Sequence, residues 1–202
     1  METVSVNDKM QSHYTYTRVA PAGQEFDASF TPFFSPKEML HLGVFEGKYL
    51  NDCRDEFPQD WYETAQMSNV ANIECNYFRV KSRQPLSVWR QKGWIYGPDP
   101  RGWFQWYCRY YCGRRIAGLD EKQIKRWRGF VRHAGQIKAN CMPGDLSCRP
   151  RQRQGLLQWS HDPLFRATAS RIYFSVSIPV FIAVTSKAAV EWTFILRSKF
   201  VL

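Results

Sequence analysis

DPRGWFQWYCRYYCGRR, residues 99–115, is the stretch whose reading decides the fold. Asp99-Pro100 is a helix-start signal, because proline fits where the first backbone N–H groups have no intrahelical partner. Gly113 is a stop signal, because glycine adopts the left-handed backbone that ends a helix. Between them, at helical spacing, Trp103, Phe104, Trp106, Tyr107, Tyr110 and Tyr111 fall on one broad arc. Arg101, Gln105, Cys108, Arg109 and Cys112 fill the remainder. So wide an aromatic arc belongs against a core, since a surface carrying it would aggregate.

A second long helix is expected downstream, from Asp120 to about Asn140. Its apolar stripe is Ile124, Trp127, Phe130, Val131, Ala134, Ile137 and Cys141, and Lys122, Lys125, Arg126, Arg128, Arg132 and His133 lie on the opposite arc. Only GRRIAGL separates the two helices, which predicts a helical hairpin or a helix-turn-helix. A further helix is expected from Pro150 to about Ser160. Upstream, Ser35-Pro36-Lys37-Glu38 has the capping-box pattern, with proline at the first helical position and Gly43 as the stop. Helical stretches are also expected from Pro58 (PQDWYETAQM) and from Pro85 to Gly93, with a short strand at NYFRV.

The fold expected is mainly α, a small helical domain over residues 35–163 with that hairpin at its centre. Residues 1–34 lack a clear period and read as a flexible or loosely docked arm. Residues 164–202 form a hydrophobic extension containing IYFSVSIPVFIAV, too short for a secure membrane span. Three readings of it stay open: strands or a helix packed on the body, a membrane-contacting tail, or a non-native extension without a defined fold.

Charge is concentrated. Arg79–Trp159 holds eighteen Lys or Arg against four acids, Asp99, Asp120, Glu121 and Asp145, in a chain whose net charge is +10. The remainder of the chain is therefore acidic on balance. Such a block is a footprint for an anionic partner, and the expected function is binding of DNA, RNA or another polyanion through a basic helical face. The expected contacts are Arg114, Arg115, Lys122, Lys125, Arg126, Arg128, Arg132, Arg149, Arg151 and Arg153. Arg114 and Arg115 precede a helix N-terminus, itself an anion site. Two alternatives remain: a module whose basic face meets an acidic protein or membrane surface, and a nucleic-acid enzyme using His133, His161, Asp145 and Asp162.

METVSVNDKMQSHYTYTR lacks a basic segment followed by an apolar run, so the expected location is intracellular, in cytoplasm or nucleus, with the six cysteines reduced. No cofactor is expected. Cys108, Cys112, Cys141 and Cys148 could supply structural zinc with His133 or His161, but the tight C-x-x-C knuckle is missing. No H-E-x-x-H, G-x-S-x-G, Walker loop, dinucleotide fingerprint or zinc-deaminase pattern is present.

GWIYGPDPRGWFQWYCRYYCGRR, with IKRW and CRPRQRQGLLQW downstream, resembles a family of uncharacterised proteins over about residues 38–163. The resemblance implies a unit ending near Pro163 and carries over no site residue.

Overall fold

Residues 1–165 are described by the structure, a computed structural model. In chain order they form an antiparallel hairpin, β1 (Glu2–Val6) and β2 (Tyr14–Arg18), and six α-helices: α1 (Pro36–Leu42), α2 (Leu86–Gln91), α3 (Trp103–Tyr111), α4 (Leu119–Phe130), α5 (Arg132–Asn140) and α6 (Pro150–Gln158). Helix is thus the dominant element, beside one small two-stranded sheet. These residues fall within one compact unit, Met1–Arg166. The expectations for the apolar tail lie outside the described residues from 166 onward.

The local signals that punctuate the sequence mostly hold. Ser35 caps α1: its hydroxyl accepts from the Glu38 N–H at 3.2 Å, and the Glu38 carboxylate accepts from the Ser35 N–H at 2.7 Å. Pro150 opens α6. Gly113 follows α3 with φ 101°, and a Cβ there would lie 2.0 Å from the Ala20 carbonyl oxygen, so no other residue fits without moving the backbone.

Helix α3 is the axis of the core. Its aromatic arc is buried as expected, apart from a partly exposed Tyr111. Phe30 inserts between elements, with its ring 5.5 Å from those of Trp106, Tyr107 and Tyr110 and 4.9 Å from that of Trp127, all edge-on. Each such pair contributes roughly 0.5–1.5 kcal/mol beyond the area it buries.

Four expectations need correction or narrowing. Of the two readings of segment 1–34, the docked one describes it, and the docking is through buried side chains. Val6, Tyr16, Phe30 and Phe34 are buried, and the N–H groups of Val19, Ala20 and Gly23 donate to the carbonyls of Gly113 and Tyr111 at the end of α3. The segment from Pro58 makes only a single 3₁₀ turn, Gln59–Trp61. NYFRV forms no strand; it is a turn pinned by Asn76, whose side chain accepts from the Glu46 N–H and donates to the Val80 carbonyl.

The helix expected over 120–140 is two helices joined at Val131. There the backbone tightens: Val131 N–H donates to Arg128 and Ala134 N–H to Val131, both i→i−3. The shift in phase leaves Val131 exposed, although the continuous stripe would have buried it. Flanking Gly129 and Gly135 lower the cost of the break.

Candidate nucleic-acid interface

Burial divides the basic block into two sets. Arg109 and Arg114 are 0% and 1% exposed, and Asp99 between them is 0% exposed. Asp99 accepts from Arg114 at 2.8 and 2.6 Å and from Arg109 at 3.1 Å. Glu56 takes Arg109 in a bidentate pair at 2.5 and 2.9 Å. Arg101 pairs with Asp8 at 2.9 and 3.1 Å and with Asp52 at 2.9 Å. Burial works against the charged form of Asp8, but hydrogen bonds from Arg101 and from the N–H groups of Met10 and Gln11 outweigh it, and its pKa falls below the usual value. The N-terminal segment closes this cluster with the Gln11 amide on Arg109 and the Tyr14 and Tyr16 rings beside the Arg109 and Arg114 guanidiniums.

Three of the expected contacts are engaged within the fold. Arg114 is committed to Asp99 and out of reach of a phosphate. Arg153 is buried and donates to the carbonyls of Cys148, Asp145 and Pro163. Arg115 is partly exposed but tied to the carbonyls of Tyr110, Arg114, Gln24 and Glu25, with its guanidinium 4.0 Å from the Tyr110 ring centre. In the first turn of α4, the Asp120 carboxylate accepts from the Ile116 N–H at 2.7 Å and from the Trp106 indole at 2.8 Å.

The second set lies on the outside. Lys122, Lys125 and Arg128 on α4, Arg132 and Lys138 on α5, and Arg149 and Arg151 at the start of α6 are exposed. Spacings of three residues put Lys122, Lys125 and Arg128 along one side of α4. None of these seven belongs to an ion pair among the described residues. Helices α5 and α6 are joined side to side by Gln152, which hydrogen-bonds both His133 and Gln136, and by a disulfide between Cys141 and Cys148.

That disulfide corrects the expectation of six thiols. The loop brings the two Cα atoms to 5.8 Å, inside bridging range. Thus bonded, Cys141 and Cys148 offer no thiolates to zinc. Burial pushes the Cys112 thiol up to about 12 and the Cys108 thiol well above its ordinary value, which opposes the thiolate that zinc needs. Asp8, Cys53 and Glu56 bring three ligand-type atoms within 4.8 Å of one another. Arg101 and Arg109 already neutralise both carboxylates, and burial holds the Cys53 thiol up at about 12.

The His and Asp residues weighed for catalysis are engaged elsewhere. The His161 ring stacks on Trp127 at 4.8 Å, and its Nε2 lies 3.0 Å from the Trp127 carbonyl, so Nε2 carries the proton. Burial lowers its pKa. Asp145 accepts from Ser147 and Cys148 in a turn, and Asp162 accepts from the Leu164 N–H.

Between the two sets sits Arg126. It is partly buried, its guanidinium 5.4 Å from the Trp159 ring centre and 5.8 Å from that of Tyr96, and it donates to the Trp94 carbonyl and to Gln123. Burial lowers its pKa, and no carboxylate among the described residues pairs with it. It borders a cavity of about 190 Å³ whose walls include Trp89, Trp94, Trp103 and Trp159. Sequence periodicity placed Arg126 on the outer arc and missed this cavity, because Trp89 and Trp94 reach it from a separate short helix and its loop. The describable signal was the density of Trp on both sides of the basic helix. No helix among the described residues is long and apolar enough to cross a membrane. Comparison with protein-family models, with curated proteins and with solved structures finds no match to this chain, over residues 38–163 or elsewhere.

Proposed function

We propose that this protein binds nucleic acid through the exposed cations of α4, α5 and the start of α6. One observation carries the reading: among the described residues Lys122, Lys125, Arg128, Arg132, Lys138, Arg149 and Arg151 form no ion pair, while buried Arg101, Arg109 and Arg114 of the same sequence block are each ion-paired to carboxylates. A merely solvated helix face mixes signs and gains about 0.2–0.5 kcal/mol per pair. Like charges left adjacent repel, and a polyphosphate backbone relieves that repulsion while releasing its own counterions.

The α3–α4 pair acts here as platform and face, not as a helix-turn-helix reader. Buried α3 supports the fold, and α4 presents the charge. A contact set made mostly of Lys and Arg on phosphates gives affinity with little sequence choice.

Binding of labelled DNA and RNA by the full chain tests the reading. Affinity falls linearly with salt on log–log axes if several phosphates are engaged. Absence of binding to either at low salt overturns it.

A further inference from the structure

We propose that the cavity bordered by Trp89, Trp94, Trp103 and Trp159 takes one unpaired base of the bound strand, with Arg126 meeting the adjoining phosphate. This rests on the nucleic-acid reading and makes the preferred ligand single-stranded.

Size comes first. At about 190 Å³ the cavity is slightly larger than the roughly 150 Å³ space that holds a benzene ring, and smaller than the roughly 300 Å³ at which drug-sized pockets begin. One heterocycle fits; a whole nucleotide does not, so the sugar and phosphate stay outside with the cations. Trp94, 41% exposed, is the most exposed of the aromatics lining the cavity, and it offers the face on which a base can stack. Trp159 is already covered by Trp103 at 4.7 Å and Phe130 at 4.8 Å.

Polarity selects a base over a hydrocarbon. The Trp103 indole N–H and the Arg83 Nε–H belong to cavity-lining residues, and both are buried without an acceptor. Buried donors left unmet are costly. A base carries ring-nitrogen and carbonyl acceptors; an apolar molecule has none.

Charge then points to a phosphate. Arg83 has its carboxylate in Glu46 at 3.1 Å, but Arg126 has none among the described residues and is partly desolvated. An anion beside it is the missing partner. Lys92, whose ammonium lies 4.9 Å from the Trp94 ring centre, and Lys122, at 5.9 Å from that of Tyr96, continue the cationic rim toward the α4 face.

Fluorescence anisotropy with the full chain and three labelled probes of equal length tests the proposal: oligo-dT, an abasic deoxyribose-phosphate strand and a duplex. The wild type binds oligo-dT about tenfold or more tightly than the abasic strand, the scale of one base stacked on an aromatic, and more tightly than the duplex. Trp94→Ala removes the preference for oligo-dT over the abasic strand; Arg126→Gln weakens oligo-dT binding more than abasic binding. Equal wild-type affinity for oligo-dT and the abasic strand overturns the cavity proposal while the basic-face reading stands. So does a Trp94→Ala protein that keeps the preference, or a duplex that binds best. Failure to bind any probe overturns both.

Discussion

Arg109 and Arg128 are nineteen positions apart in one basic block and have opposite physical roles. Arg109 lies in the core, held by Glu56, Asp99 and Gln11; Arg128 lies on the surface without an ion pair among the described residues. What separates them is the carboxylate supply. Asp8, Asp52, Glu56 and Asp99 all converge on the polar side of α3, whereas α4 beyond Glu121 and all of α5 hold no acid. A local excess of arginine therefore says nothing about function until each guanidinium has been matched to its partner.

The first way to break this contrast is to remove a buried partner. Asp99→Asn leaves Arg109 and Arg114 without their shared charge and is expected to destabilise the fold by about 3–5 kcal/mol, read by urea unfolding. A loss below about 1 kcal/mol would mean that the cluster is more hydrated than its burial indicates.

A smaller effect follows from pH. Burial lowers the folded-state pKa of His161, and it also leads the lowering at His133, where the Arg132 charge adds to it. The unfolded chain therefore binds more protons below the ordinary histidine value of 6.5. Stability conferred by the neutral rings is complete above that value, declines as pH falls through it, and levels off below the folded-state values. His161→Phe keeps a ring against Trp127 and is expected to flatten part of this decline in unfolding curves taken between pH 7.5 and pH 5, a range chosen about the ordinary value.

Much of the secondary structure was legible because its signals are local. The capping box at Ser35, the stop at Gly113 and the start at Pro150 each act within a few residues. The docking of residues 1–34 was not, because Asp8 reaches Arg101 and Gln11 reaches Arg109 across more than ninety positions. A signal for the hairpin did exist. TVSV and YTYT alternate with period two, and Val4 pairs with Tyr16 in the antiparallel register. The site was half legible. Lys122, Lys125, Arg128 and Arg132 lie on the exposed arc that helical spacing gave them. Arg114 and Arg153 could not be separated from these by composition, since an arginine written beside other arginines carries no record of the carboxylates or carbonyls that fold against it.

The exposed set supplies the smallest expected change in stability and the largest in binding. Lys125→Glu, Arg128→Glu and Arg132→Glu combined touch no ion pair among the described residues and should shift stability only slightly, within about 0.5 kcal/mol per site. The decisive measurement is the salt dependence of oligonucleotide binding by this triple variant beside the wild type. Loss of three phosphate contacts should make the log–log slope shallower by about 2, at roughly 0.7 per contact on a single strand, and lower the low-salt affinity at least about tenfold. A folded triple variant with the wild-type slope and affinity would contradict the assignment of this face.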